Sequence, residues 1–192
     1  MPELTILGCG SSIGVPVIGC KCDVCLSSHP YNKRRRSSVL ISSLTTNVLV
    51  DFGFDIKYQL LSADISRLDA AILTHLHADH CSGIDELSIF KILHNNVPDL
   101  YSDSVTIDLI TKRHDYLFRN GSLTPKKIDF YSSITIGDID LQLFKQDHGP
   151  MDSIGIRIGD VVYSNDVIRY PAESLQYLEN ARIWIIDCIS VE

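Results

Sequence analysis

Apolar and polar positions change period several times along this chain. Glu3 to Gly8 alternates weakly and predicts a short strand opening into a loop. From Cys9 to Pro30 the residues are rich in Gly, Ser, Pro and Cys, which favour turns over regular elements. Ser38–Ser43 and Asn47–Asp51 then read as two strands joined at Leu44–Thr46, a hairpin. Asp55–Ala63 has helical spacing, and Leu68–Thr74 is a nearly continuous apolar run that predicts a buried strand. Gly83–His94 places apolar residues at Ile84, Leu87, Phe90, Ile92 and Leu93, the pattern of an amphipathic helix. Ser104 is placed to cap a second helix running to about Phe118. Further on, Ile128–Ser133, Ile139–Lys145, Ile154–Ile158 and Val161–Ser164 read as strands, with turns at Gly137-Asp138 and Gly159-Asp160. Pro171 opens a short helix to about Asn180, and Arg182–Asp187 is a final buried strand carrying Trp184 as core. Interleaved strands, helices and hairpins predict a mixed α/β layered fold in one domain spanning residues 1–192.

Composition narrows the class. The chain has 192 residues, 17 Lys plus Arg and 24 Asp plus Glu, for a net charge of −7. That balance argues against a general nucleic-acid coat, which needs clustered cations, but leaves room for a small phosphate ligand. No apolar run approaches the roughly 20 residues that span a bilayer, and Met1-Pro2-Glu3-Leu4 does not open a secretory signal. The expectation is therefore a soluble cytoplasmic domain. Its six cysteines are expected to be reduced there, and grouped ones to bind metal.

The densest chemistry lies at Thr74-His75-Leu76-His77-Ala78-Asp79-His80. Three of the seven histidines fall within six residues, beside an aspartate and directly after a buried strand. An H-x-H-x-D-H loop can turn four metal-binding side chains toward one cavity at a strand end, where open α/β sheets place their ligand chemistry. Converging imidazoles are costly without a metal or hydrogen-bond partners. Zinc, manganese and iron all suit the donor set.

H-x-H-x-D-H after an apolar strand resembles the signature of the metallo-β-lactamase superfamily. Leu49-Val50-Asp51-Phe52-Gly53 resembles that family's first motif, and Ser164-Asn165-Asp166 the motif whose aspartate bridges two metals. The resemblance implies an αββα four-layer sandwich with a two-metal site at the sheet edges. It implies that His75, His77 and His148 hold one metal, and that Asp79, His80 and Asp166 hold the second with Asp166 shared. Asp51 would support the ligands from behind, and Asp79 would also orient the nucleophile or accept its proton. Two divalent ions, zinc or manganese, would activate a hydroxide for hydrolysis without a serine or cysteine nucleophile.

Cys20-Lys21-Cys22-Asp23-Val24-Cys25 is a C-x-C-x-x-C knuckle able to point three thiolates at one structural zinc, with His29 as a local candidate for the fourth ligand. Gly14-Val15-Pro16, the 20–29 knuckle loop and Asn32–Ser38 together resemble the PhnP-type phosphodiesterase branch of the superfamily. In that branch the fourth zinc ligand is a distant histidine. Arg34, Arg35 and Arg36 read as a solvated charged loop, with contact to a substrate phosphate as the alternative. His94 reads as a helix-end residue, His114 as exposed, and Cys81 as a neighbour of the metal loop outside the ligand positions.

The resemblance also implies a further C-terminal histidine on the second metal, and none follows His148. The chain is accordingly expected to lack its closing helix and strand, to bind the second metal weakly, and to expose a sheet edge that invites homodimerisation. Two classes of function follow. One is a metal-dependent phosphodiesterase acting on small cyclic or nucleotide-like phosphodiesters; the other is a non-catalytic truncated fragment retaining the fold. Among hydrolases, a tRNA 3′-processing nuclease ranks lower because the Lys112, Arg113, Arg119, Lys126 and Lys127 stretch is only moderately basic. A thioesterase or a lactam hydrolase shares the histidine motif without the cysteine knuckle.

Overall fold

In the computed structural model, which describes residues 2–188, two sheets pack face to face. Residues 189–192 lie outside the described residues. The first sheet runs in chain order: β1 (Glu3–Gly8), β2 (Ser38–Ser42), β3 (Asn47–Val50), β4 (Ala70–Ile72), β5 (Asp99–Asp103) and β6 (Thr124–Ile128). Its first three strands pair antiparallel and β3 to β6 pair parallel. The second sheet has β7 (Ser132–Ile136), β8 (Ile139–Asp147), β9 (Asp152–Ile158) and β10 (Val161–Ser164) in an antiparallel meander. β11 (Ile183–Ile186) joins β10 in parallel.

Alternation explains the layers. Val39 and Ile41 of β2 and Val48 and Val50 of β3 meet Ile139, Leu141 and Leu143 of β8 and Ile154 and Ile156 of β9 between the sheets. Leu49, Leu100 and Leu73 point the other way, toward Ile56, Leu60, Leu87, Ile107 and Ile110 on the helical side. Those helical residues come from α2 (Ile56–Ser62), a 3₁₀ turn at Ile84–Ser88 and α5 (Ser104–Arg113), while α1 (Asp23–Leu26), α3 (Ala78–Cys81), α4 (Ile89–His94) and α6 (Asp115–Arg119) are short. On the outer face of the second sheet a 3₁₀ turn at Ala172–Tyr177 stacks Tyr177 on Phe144, with ring centroids 5.3 Å apart. The order helix, sheet, sheet, turn is the expected αββα sandwich.

Several elements differ from expectation. The predicted 83–94 helix starts as 3₁₀ because Gly83 is wedged against the Phe52 and Gly53 carbonyls, which fixes the first turn before α4 can begin. The 104–118 helix is capped by Asp103, whose Oδ1 accepts from the Val105 and Thr106 amides, and it breaks at His114. Strands β5 and β6 were not expected, and the single strand predicted at 128–133 is split: Ile128 ends β6, residues 129–131 turn, and Ser132 opens β7. β11 is not buried: Trp184 is 45 % exposed, because the strand is held along one edge by β10, and the indole meets Tyr170 obliquely. No helix among the described residues is long and apolar enough to cross a membrane.

Candidate metal centre

Four strand ends build the site, those of β3, β4, β8 and β10. β3 ends at Val50, and Asp51 follows with φ of 59°, a left-handed turn that drives its fully buried carboxylate under the 74–80 loop. Asp51 Oδ1 accepts from the Thr74 amide at 2.8 Å, Thr74 Oγ1 donates to the same carboxylate, and His80 Nδ1 donates to Oδ2 at 2.7 Å. Thr74 Oγ1 in turn accepts from His75 Nδ1 at 3.0 Å. Each of these imidazoles thus has its Nδ1 engaged from behind and its Nε2 turned toward the cluster, the usual way in which outer partners orient metal-binding histidines. Thr74 is a member of this arrangement that residue-type reasoning passed over; the signal was its place between the apolar strand and His75.

The remaining members arrive from the second sheet. β8 ends at Asp147, and His148 sits in the tight turn to β9, with its amide donating to Met151 O. Asp166 follows β10 with φ of 52°. The Arg169 guanidinium clasps Asp147 at 2.5 Å, and Ile168 N donates to Asp147 O, so the two loops are tied to each other.

The donor atoms converge in two groups, His75 with His77, His148 and Asp166, and Asp79 with His80 and Asp166, each within 4.8 Å. In the first, His75 Nε2 is 2.9 Å and His148 Nε2 is 3.2 Å from His77 Nδ1. Asp166 Oδ2 is 3.3 Å from His75 Nε2 and 3.8 Å from His148 Nε2. The same oxygen lies 3.0 Å from His80 Nε2, which is 3.2 Å from Asp79 Oδ2. A tetrahedral ion with bonds of about 2.0–2.1 Å holds its ligands roughly 3.3 Å apart, so this spacing fits a divalent ion in each group. The six residues expected to gather are those the structure brings together.

The electrostatics fit a cation as well. Burial opposes protonation of His80, yet Asp51, Asp166 and Asp79 outweigh it and push its pKa up to about 12. Burial raises the Asp166 carboxyl, but His75 and His80 hold it well below the usual carboxylate range. Burial and the neighbouring His75 lower the pKa of His77, which favours the neutral form a metal needs. Three carboxylates around one buried imidazole form a pocket of negative potential that suits a cation.

At the knuckle, the Cys20, Cys22 and Cys25 sulfurs lie within 4.8 Å of one another. Cys25 Sγ accepts from the Val17 amide, and hydrogen bonds from Cys25 and Cys20 lower the Cys22 thiol to about 7. The set fits a thiolate-bound ion with one further ligand. His29 is not in the group; its Nδ1 accepts from Tyr31 N and caps the 30–32 turn. All six cysteines are unpaired.

The three arginines are not equivalent solvated charges. Arg36 pairs with Asp55 at 3.0 Å and donates to Ser12 O, and Arg35 donates to Tyr58 O and Ser62 Oγ. Arg34 instead lines a cavity of about 700 Å³ that also contains His77, Asp79, His148 and Asp166. Elsewhere Lys126, Lys127 and Arg119 are paired with Asp99, Asp108 and Asp115. Cys81 is the last residue of α3 and is buried in the core, and His94 ends α4 as expected.

A family profile described as a β-lactamase superfamily domain matches residues 46–192. The chain superposes on a crystal structure of a diphosphatase from the PhnP family with a TM-score of 0.87 and 30 % identity, covering 96 % of this chain and 73 % of that one. It is 32 % identical over 191 residues to an octanoyltransferase of Porphyromonas gingivalis, covering 95 % of this chain and 38 % of the relative. It is 29 % identical over 142 residues to ribonuclease Z of a Bradyrhizobium species, covering 67 % of this chain and 46 % of the relative. The chain thus spans less than half the length of these two curated relatives.

Proposed function

The chain belongs to the metallo-β-lactamase superfamily of hydrolases, and from that premise we propose that it is a metal-dependent phosphodiesterase acting on small cyclic or nucleotide-like phosphodiesters. The observation that carries this reading is Asp166 Oδ2, one carboxylate oxygen within 3.8 Å of three different histidines on the wall of a cavity. His75, His77, His148 and Asp166 would hold one divalent ion, zinc or manganese, and Asp79, His80 and Asp166 the other. Bound there, such ions lower the pKa of water and neutralise charge on a phosphoryl group. Asp79 stays ionised, because its bond to His80 overcomes the effect of burial. Its carboxylate can therefore orient the attacking water and accept its proton. Asp51 and Thr74 hold the His80 and His75 rings by Nδ1 so that Nε2 faces the other ligands. Cys20, Cys22 and Cys25 would hold a structural zinc that stiffens the 20–29 loop. Six unpaired cysteines support a cytoplasmic setting.

The test is hydrolysis of bis(p-nitrophenyl) phosphate by protein loaded with zinc or manganese, alongside metal analysis. Turnover with about two ions per site, lost in His77→Ala, supports the enzyme. A fully loaded protein that cleaves no phosphodiester supports the non-catalytic fragment instead.

The ribonuclease Z relatives favour a second reading, a tRNA 3′-processing nuclease. Pairing of Lys126, Lys127 and Arg119 with acids weakens any basic grip on tRNA. Cleavage of a precursor tRNA in preference to the aryl ester would reverse the ranking.

A further inference from the structure

We propose that Gln146 is a positioning residue for both metal groups, setting the shared Asp166 carboxylate through the two backbone carbonyls that flank the Asp166 Cα. The proposal deepens the reading above, in which Asp166 serves two ions, and rests on it.

Burial singles the residue out. Gln146 of β8 is fully buried and stands directly across from the equally buried Ser153 of β9. A buried amide is costly unless its donors are used. Gln146 Nε2 donates to Ser153 Oγ at 2.9 Å and to the Asn165 carbonyl at 3.0 Å, which uses both amide hydrogens. That carbonyl can only accept, so the amide cannot be turned over. The Ser153 hydroxyl, having accepted, gives its own hydrogen to the Asp166 carbonyl at 3.0 Å. Gly155 leaves the room this arrangement needs, since a Cβ there would strike the Phe144 ring and come within 2.7 Å of Gln146 Oε1.

The bonds run one way, from Gln146 through Ser153 to Asp166, and grip the chain before and after the Asp166 Cα. Asp166 has φ of 52°, a conformation that its surroundings must hold in a residue with a side chain. β9 is fixed in turn to the other half of the site, where Ile154 N donates to Thr74 O at 3.2 Å, one residue before His75. Gln146 thereby sets where Asp166 Oδ2 stands against His75 and His80, at 3.3 and 3.0 Å. One oxygen serves both groups, so loss of this relay loosens both ions together.

The experiment compares the parent with Gln146→Met, which keeps the side chain's length and removes both donors, and with Ser153→Ala. Manganese, a harder ion that the knuckle thiolates take poorly, is titrated calorimetrically into each metal-free protein. Both manganese affinities are expected to fall about tenfold or more in Gln146→Met, and in the same sense in Ser153→Ala. A Gln146→Met protein that melts at a lower temperature but binds both ions as the parent does has lost packing alone, and overturns the proposal. Loss confined to one group overturns it too. Where circular dichroism shows Gln146→Met unfolded, Ser153→Ala decides by the same two criteria. A parent that takes up fewer than two ions overturns the two-metal reading and this proposal with it. Coupled loss in a protein without phosphodiesterase turnover supports the positioning role and sinks only the catalytic reading.

Discussion

The Asp51 carboxylate lies 2.7 Å from His80 Nδ1, and both side chains are shut away from solvent. Asp51 reaches this place from the end of a different strand, so the 74–80 loop takes its shape from β3 as much as from its own residues. Replacing Asp51 with Asn removes the charge that holds the His80 tautomer. Affinity for the ion of the Asp79, His80 and Asp166 group is expected to fall by about 10–100-fold, while the His75, His77 and His148 group retains its ion. Stepwise metal titration with inductively coupled plasma analysis would show it; equal loss from both groups would contradict the division into two.

Gly53 touches the same loop from below. A Cβ at this position would overlap the Asp79 carbonyl, which is backbone and cannot swing aside. Gly53→Ala is therefore expected to cost about 1–3 kcal/mol and to shift Asp79. Urea denaturation and activity should both register the change, and an unaltered midpoint would show that the loop has slack.

Asp138 makes a prediction about acid. In the β7–β8 turn, its Oδ1 accepts from the Ser43, Thr45 and Thr46 hydroxyls of the β2–β3 turn, joining the two sheets. Those bonds lower its carboxyl from 3.8 to about 2. A depressed folded pKa means the contribution is complete above 3.8 and disappears as pH falls through about 2. Melting temperature should decline across that window, and Asp138→Ala should flatten this part of the decline while lowering stability at neutral pH. Parallel profiles for parent and variant would refute the role.

Much of this is legible in the amino-acid sequence. The hairpin at 38–50 and the meander from 139 to 164 follow from two-residue alternation and Gly-Asp turns, and the 74–80 loop from histidine density alone. His148 and Asp166 carried little weight singly; they mattered only once strand order placed them at neighbouring ends. β6 was hidden because Thr-Pro-Lys-Lys-Ile shows one buried residue and contains a proline. Its edge position explains the composition, since an edge strand can omit amide donors and carry lysines. β5 was hidden because its buried face carries Ser102 beside Leu100, and the 104–118 helix looked unbroken because no proline or glycine marks the turn at His114. Trp184 misled because a large aromatic residue in an apolar run is usually core, whereas only one edge of its strand is held.

His77 differs from its partners in which nitrogen it presents. His75 and His148 face the cluster through Nε2, at the far tip of the ring, whereas His77 uses Nδ1, the nitrogen nearest its own backbone. A short arm leaves little leverage to absorb movement. An asparagine there, whose amide oxygen occupies nearly the same place as Nδ1, should mimic the parent better than the longer glutamine, which is the reverse of what a glance at imidazole size would advise.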